Sequence, residues 1–106
     1  MPISIAYKDT SGYFGIYFNK PSWWIMRAAI ESKKPWIGFN IDDAIGTPLI
    51  PAGMLKLEPH PYSEFRIQID SVKDTDKLHR LIYASFEKTI NDRVRISEGE
   101  FALKPE

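Results

Sequence analysis

The chain of 106 residues contains no cysteine. This absence excludes disulfide bonds, catalysis by a thiolate and zinc sites built on cysteine. A protein without cysteine also suits a reducing compartment, where disulfides do not persist. We therefore expect a cytoplasmic protein whose stability comes from its hydrophobic core alone.

An excess of charge of either sign is also missing, because 14 Lys and Arg residues balance 14 Asp and Glu residues. Affinity for nucleic acids comes mainly from many contacts between basic side chains and phosphates. The balance argues against a nucleic-acid partner and leaves only a local patch (Lys88, Arg93 and Arg95 with outward tyrosines) as the weakest hypothesis. A net charge near zero gives little self-repulsion and so permits self-association.

Long apolar runs are absent as well. No stretch approaches the roughly 20 apolar residues that a membrane-spanning helix needs. The segment 1–5 lacks the charged region, apolar run and cleavage site of a signal peptide. We expect neither a membrane partner nor secretion.

Familiar catalytic and metal-binding motifs are missing too. There is no Gly-x-Ser-x-Gly or Ser-x-x-Lys motif, and the segment 12–15 lacks the Lys-Ser/Thr ending of a phosphate-binding loop. Asp70, Asp74 and Asp76 do not have the spacing of a calcium-binding loop, and helix capping accounts for them. We predict no cofactor and no metal site, and we favour a non-enzymatic protein.

Hydrophobic patterning indicates a single α+β domain over residues 1–106. Period-two alternation predicts strands, and apolar residues three and four apart predict helices. Because strands outnumber helices, we expect a mainly antiparallel sheet of five to six strands, in the order ββαβββαβ, with two helices packed on one face. The predicted strands cover 3–8, 13–18, 36–41, 54–58, 64–70 and 94–96 with 101–103, and the predicted helices cover 22–33 and 74–91.

All three tryptophans lie in or beside the first predicted helix, which Ser22 caps. At 100° per residue Trp24 points nearly away from the apolar arc that contains Met26 and Ile30. A sheet beneath the helix would not cover this ring, and Trp, Tyr and Arg are the residues that dominate interface energetics. The predicted partner-binding residues are Trp24, Arg27, Glu31 and Tyr17.

A second set of residues surrounds the loop 42–53, which contains two glycines and two prolines. Paired carboxylates at Asp42 and Asp43 suit acid–base chemistry, although adjacent aspartates more commonly begin a solvated turn. His60 is stiffened by a proline on either side, and Tyr62 follows it; histidine is the residue type suited to proton transfer near neutral pH. A pocket between the sheet and this loop would require His60 and an aspartate to converge.

These observations support two hypotheses about function. The first is a small non-enzymatic intracellular binding protein, such as an inhibitor, an immunity-type protein or an adaptor, which binds another protein or a second copy of itself. The alternative is a small enzyme or ligand-binding domain that uses Asp42, Asp43, His60 and Tyr62. The first is favoured because the chain has an aromatic surface candidate and no assembled catalytic set.

Overall fold

In a computed structural model, which describes residues 4–95, one antiparallel sheet of six strands is covered by helices on one face. The order across the sheet is β1-β2-β3-β4-β6-β5. The strands are β1 (Ile5–Asp9), β2 (Phe14–Phe18), β3 (Trp24–Ala29), β4 (Trp36–Phe39), β5 (Lys56–Leu57) and β6 (Phe65–Gln68).

Two α-helices, α1 (Asp43–Gly46) and α2 (His79–Thr89), occur in the described chain. A 3-10 turn, Thr47–Leu49, follows α1, while α2 is preceded by the 3-10 segment Val72–Leu78 and followed by the π-helical turn Ile90–Arg95. The predicted α+β class, with a mainly antiparallel sheet and two helices on one face, is thus confirmed. None of the helices within residues 4–95 has the length and apolar character required to cross a bilayer.

The order of elements differs from the prediction, since the described chain runs ββββαββα. The predicted helix over 22–33 is wrong, because its centre forms β3 and pairs with both β2 and β4. The loop predicted over 42–53 is also wrong in part, because α1 and a 3-10 turn occupy its first half. Of the closing strands, residues 94 and 95 lie in the π-helical turn, and 96 and 101–103 lie outside the described residues.

A β-bulge in β3 explains why this strand resembles a helix in sequence. Met26 pairs with Ile16 and Trp24 pairs with Tyr17, so Ile25 is an extra residue without a partner in β2. A bulge breaks the alternation of side chains between the two faces. Ile25 and Met26 are consequently both buried, and the burial pattern along β3 no longer has the period of two that identifies a strand.

The backbone of the bulge is tied to α2. The Ser85 hydroxyl donates to the Ile25 carbonyl at 2.6 Å, and the Thr89 hydroxyl donates to the Trp24 carbonyl at 3.3 Å. The Asn40 side-chain amide donates to the same Trp24 carbonyl at 3.1 Å. Buried carbonyls outside a sheet ladder need such partners, so two polar residues in the apolar stripe of α2 satisfy the irregular strand.

The core lies between α2 and the inner face of the sheet, which we define as the face toward α2. The helix predicted over 74–91 was expected to centre its apolar stripe on Leu78, Ile82, Ser85 and Thr89, with Leu81 beside them. Leu78, just before α2, and Leu81, Ser85 and Thr89 within it are almost fully buried, and Ile82 is partly buried. The inner face stays uncovered at β1, where Ile5 and Tyr7 are 56% and 69% exposed. The buried core consists of Phe18, Trp23, Ile25, Met26, Ala28, Ile37, Phe39, Ile41, Phe65, Ile67, Ile69, Leu78 and Leu81.

We predict that Ser85→Ala destabilises the fold and loosens the bulge. The Ser85 hydroxyl accepts from the Asn40 amide at 2.9 Å while donating to Ile25, so its removal leaves two backbone groups without a partner. The expected loss is about 1–3 kcal/mol in the free energy of unfolding. Chemical denaturation measures it, and Ser22→Ala, at an exposed serine, is the control. An unchanged stability of Ser85→Ala would contradict this account of the bulge.

Candidate functional site

Among residues 4–95, two short connections cover the outer face of the sheet, opposite α2. Strand register places Trp24, Arg27 and Trp36 on this face, because Arg27 pairs with Gly38 and the core residues Ile37 and Phe39 point to the other side. The turn between β1 and β2 and the connection between β5 and β6 fold over it. The side chains of these two connections meet above β3 and β4.

Aromatic and guanidinium groups form a continuous row of contacts on the outer face, which we call the aromatic–arginine row. The row begins at Trp24 and Arg27 and ends at Trp36 and Arg66. Consecutive ring centroids, or a guanidinium carbon and a ring centroid, lie within about 5.5 Å of each other. The contacts along the row, in order, are Trp24–Arg27 (4.2 Å), Arg27–Tyr13 (4.7 Å), Tyr13–Tyr62 (4.9 Å), Tyr62–His60 (5.1 Å), His60–Trp36 (5.5 Å) and Trp36–Arg66 (5.0 Å).

Local hydrogen bonds hold the two connections in shape. In the first, the Thr10 hydroxyl oxygen accepts from the Tyr13 amide at 3.1 Å, which fixes the turn before β2. In the second, His60 and Ser63 exchange two backbone hydrogen bonds at 2.9 and 3.0 Å. The amide of Tyr62 donates to Nδ1 of His60 at 3.1 Å, so the imidazole is oriented by its own loop.

Glycines allow the two connections to approach each other, at Gly12, and the second connection to approach the sheet, at Gly38. A Cβ atom at Gly12 would lie 2.5 Å from Cε2 of Tyr62, and a Cβ atom at Gly38 would overlap both Cβ and Oγ of Ser63. Real Cβ contacts of this kind do not occur, so a larger residue would push the loop away. Because Gly12 and Gly38 carry no side chain, the residues of the aromatic–arginine row can pack closely over the outer face.

Arg27 lies near one end of the row, between Trp24 and Tyr13, and is partly removed from solvent. Its Nη1 donates to the Tyr62 carbonyl at 2.8 Å. Its Nε is shielded from solvent and has no acceptor among the described residues. Burial lowers the pKa of Arg27, and the neighbouring Tyr13 hydroxyl offsets this only in part. Arginine remains charged even so, and none of the ion pairs found in residues 4–95 includes it.

Arg66, at the other end of the row, differs in its hydrogen bonding. Its Nε and Nη2 both donate to the Glu58 carbonyl, at 2.9 and 2.6 Å. Burial also lowers the pKa of Arg66, and the Glu58 charge acts in the opposite direction. This guanidinium is thus engaged within the fold, whereas that of Arg27 is engaged at one nitrogen only.

A cleft of about 280 Å³ opens beside Arg27. The floor belongs to β3, β4 and the residues that follow β4, and the wall belongs to the loop that carries Tyr62. The polar groups at its surface include one cation, one imidazole and one carboxylate, that of Glu64. The lining residues are Trp24, Arg27, Phe39, Asn40, Ile41, His60, Pro61, Tyr62, Ser63 and Glu64.

The cleft unites parts of the two residue sets that the sequence suggested. Trp24 and Arg27 come from the predicted partner-binding set, and His60 and Tyr62 come from the alternative pocket. Tyr17 pairs with Trp24 and so shares the outer face beside the cleft. Glu31 is exposed in the turn after β3 and does not line the cleft.

The two aspartates of the alternative pocket, Asp42 and Asp43, make their contacts outside the cleft. Asp42 caps α1 by accepting from the Ile45 amide at 3.0 Å. Asp43 forms an ion pair with Lys56 at 3.0 Å. Neither lines the cleft that contains His60, because the chain turns into α1 directly after β4. The structure therefore does not bring His60 and an aspartate of this pair together.

Sequence patterns missed three members of the row as site residues. In the sequence, Tyr13 stands out only as one of the outward tyrosines of the nucleic-acid hypothesis, Trp36 as one of the three tryptophans, and Arg66 as an outward position on the strand around Ile67. The helix predicted for 22–33 concealed the register that places Trp36 beside β3. The available signal was Gly12 next to Tyr13, since a glycine beside an aromatic residue in a turn permits close approach of another chain segment.

A larger groove, of about 850 Å³, lies on the opposite side of the molecule between α2 and the segment that follows β4. Ile45, Leu49, Tyr83 and Ala84 supply its apolar lining, and charged residues of α2 form the rim. Its polar groups lie along one helix and its flank and do not converge on a point. We therefore place the candidate site at the smaller cleft, where the aromatic and charged groups are in mutual contact.

No family model, curated protein or solved structure matched this chain. Within residues 4–95, no cluster of three or more histidine, aspartate or glutamate side chains is arranged to hold a metal ion. The chemistry of the cleft must therefore be argued from its own side chains.

We predict that Gly38→Ala displaces the loop containing Ser63 and destabilises the protein by about 1–3 kcal/mol, the usual cost of overpacking. Ser63 is buried, and its hydroxyl donates to the Phe65 carbonyl at 2.8 Å, so it cannot move without losing that bond. The double variant Gly38→Ala/Ser63→Gly removes both overlapping atoms of Ser63 and should recover part of the loss. Denaturation of all four chains measures this coupling, and simple additivity would contradict the described packing.

Proposed function

We propose that this chain is a small binding protein that recognises another protein through the cleft beside Arg27. The proposal is carried by one observation, the aromatic–arginine row, which presents Trp, Tyr and Arg side chains in mutual contact on the face of the sheet opposite α2. These three residue types dominate the energetics of protein interfaces when they surround a pocket.

The rigidity of the cleft supports recognition of a partner. Affinity is reduced by the entropy lost when side chains become ordered on binding. Arg27 is held between contacts with Trp24 and Tyr13, and the Tyr62 loop is fixed by two backbone hydrogen bonds. Much of this ordering cost is therefore met when the protein folds.

The arrangement supports a binding role better than the alternative small enzyme. General acid–base catalysis requires a donor and an acceptor within hydrogen-bonding reach of one reacting group. Asp42 and Asp43 serve the cap of α1 and an ion pair with Lys56. Nδ1 of His60 accepts from a backbone amide, so the pocket predicted from these residues has no assembled acid–base pair.

Inhibitor, immunity-type and adaptor roles inside the cell all require such a preformed surface, and each remains part of the proposal. A second copy of the chain is the other partner that a net charge of zero permits. Both kinds of partner would be bound through the same cleft. Nucleic acid is not expected, since phosphate contacts require a larger excess of basic residues.

The test compares Trp24→Ala with a control variant, Tyr83→Ala, whose substitution lies in the larger groove. Each purified chain, verified as folded by its thermal transition, is used to capture proteins from the source cells. We expect a partner that is bound by the wild type and by Tyr83→Ala and is bound at least about 30-fold more weakly by Trp24→Ala, the effect of an interface hot spot.

Sedimentation of the isolated wild type tests the second copy as partner. A dimer that dissociates in Trp24→Ala and persists in Tyr83→Ala agrees with the proposal. Partners or dimers that are equally bound by all three chains, or that are lost only in Tyr83→Ala, would contradict a role for the cleft.

A further inference from the structure

We propose that the cleft receives the carboxylate of an acidic side chain on the partner protein and that Arg27 binds it. This inference rests on the proposed function, and it adds the chemical class of the group that is recognised.

The guanidinium of Arg27 has a hydrogen-bond acceptor among the described residues at one of its three nitrogens. Nη1 donates to the Tyr62 carbonyl, and no described residue accepts from Nε or Nη2. Nε is enclosed by the protein, whereas Nη2 is not among the buried atoms that lack a partner. A ligand can therefore reach the guanidinium at its Nη edge, on the side of the cleft.

The positive charge of Arg27 has no ion-pair partner among residues 4–95. A partly desolvated cation needs compensating negative charge. The lowered pKa of Arg27, caused first by burial, is consistent with this deficit. The faces of the guanidinium contact Trp24 and Tyr13, and aromatic faces supply only part of the compensation.

The size and lining of the cleft suit a carboxylate side chain. A volume of about 280 Å³ accommodates one or two side chains, and the rings of Trp24 and Tyr62 contribute apolar surface to the lining beside Arg27. Guanidinium groups bind carboxylates in a planar geometry through strong charge-assisted hydrogen bonds. The carboxylate of Glu64 also lines the cleft, and its charge disfavours a doubly charged phosphate more than a singly charged acid.

Arg66 provides an internal comparison. It also stacks on a tryptophan, at 5.0 Å from the Trp36 ring, but its Nε and Nη2 are both bonded to the Glu58 carbonyl. It does not line the cleft. A substitution at Arg66 therefore removes a comparable charge from the same face without removing the proposed carboxylate-binding group.

The test uses blocked tripeptides with a central aspartate or asparagine between two leucines, and inorganic phosphate, as probes. Each is titrated into the wild-type protein labelled at arginine with ¹⁵N, and the Nε–Hε resonances report binding. Because Nε of Arg27 is shielded from solvent, its proton should exchange slowly and be observable. We expect saturable shifts of the Arg27 resonance with the aspartate peptide and binding at least about tenfold weaker with the asparagine peptide.

The variants Arg27→Gln and Arg66→Gln complete the test, with the Trp24 indole resonance as the reporter. We expect Arg27→Gln to abolish the preference for aspartate over asparagine and Arg66→Gln to retain it. Equal binding of both peptides, tighter binding of phosphate than of the aspartate peptide, or no binding to the wild type would each overturn the proposal, and the wild-type titrations do so even if Arg27→Gln fails to fold.

Failure of this inference is distinguishable from failure of the proposed function. If the aspartate peptide does not bind while Trp24→Ala still loses the captured partner, the cleft recognises a different chemical group. If both experiments fail, the cleft is not a recognition site.

Discussion

One extra residue in β3 determines which side of the sheet Trp24 faces. Without the bulge at Ile25, alternation would place Trp24 on the inner face together with Met26 and Ala28. With it, Trp24 shares the outer face with Arg27, and the two side chains stack at 4.2 Å. The bulge exposes backbone carbonyls that α2 must satisfy, so Ser85 and Thr89 on one face support the position of Trp24 on the other. β-Bulges commonly re-aim side chains next to functional sites.

The outer face depends equally on two positions that carry no side chain. Gly12 lets the two connections pack against each other, Gly38 lets the second connection lie close to the sheet, and the side chains of the two connections then complete the row beside Arg27. Core packing on the inner face supplies the stability, since Phe39, Phe65 and Leu81 are almost fully buried there. The two faces thus have different tasks: one stabilises the fold, and the other holds a partly desolvated cation beside an open cleft.

The sequence predicted the parts of this fold that follow simple periodicity. The alternation in the segment 64–70 and the apolar stripe of α2 are both confirmed, because each packs one regular face against the core. The segment 22–33 was misinterpreted because a bulge and burial of successive residues imitate the spacing of a helix, and Met26, Arg27 and Ala28 also favour helices intrinsically. Tertiary pairing with β2 and β4 overrides that preference.

The candidate site was only partly predictable for a related reason. The sequence indicates Trp24 as a partner-binding residue because its angle on the predicted helix points away from Met26. The structure also places these two side chains on opposite faces, but the cause is the bulge in β3. His60 and Tyr62 were selected for a different pocket. The contact of Tyr62 with Tyr13 and that of His60 with Trp36 depend on long-range strand order and on two glycines, neither of which periodicity reveals.

The most direct test of this account is the position of the Trp24 ring in the free protein, measured by nuclear Overhauser effects. We expect contacts between the Trp24 ring and the side chain of Arg27, whose methylene protons should be shifted upfield by the ring. Contacts of the Trp24 ring with Leu81 or Ile37 in the core, and unshifted Arg27 protons, would contradict the bulge and the site that depends on it.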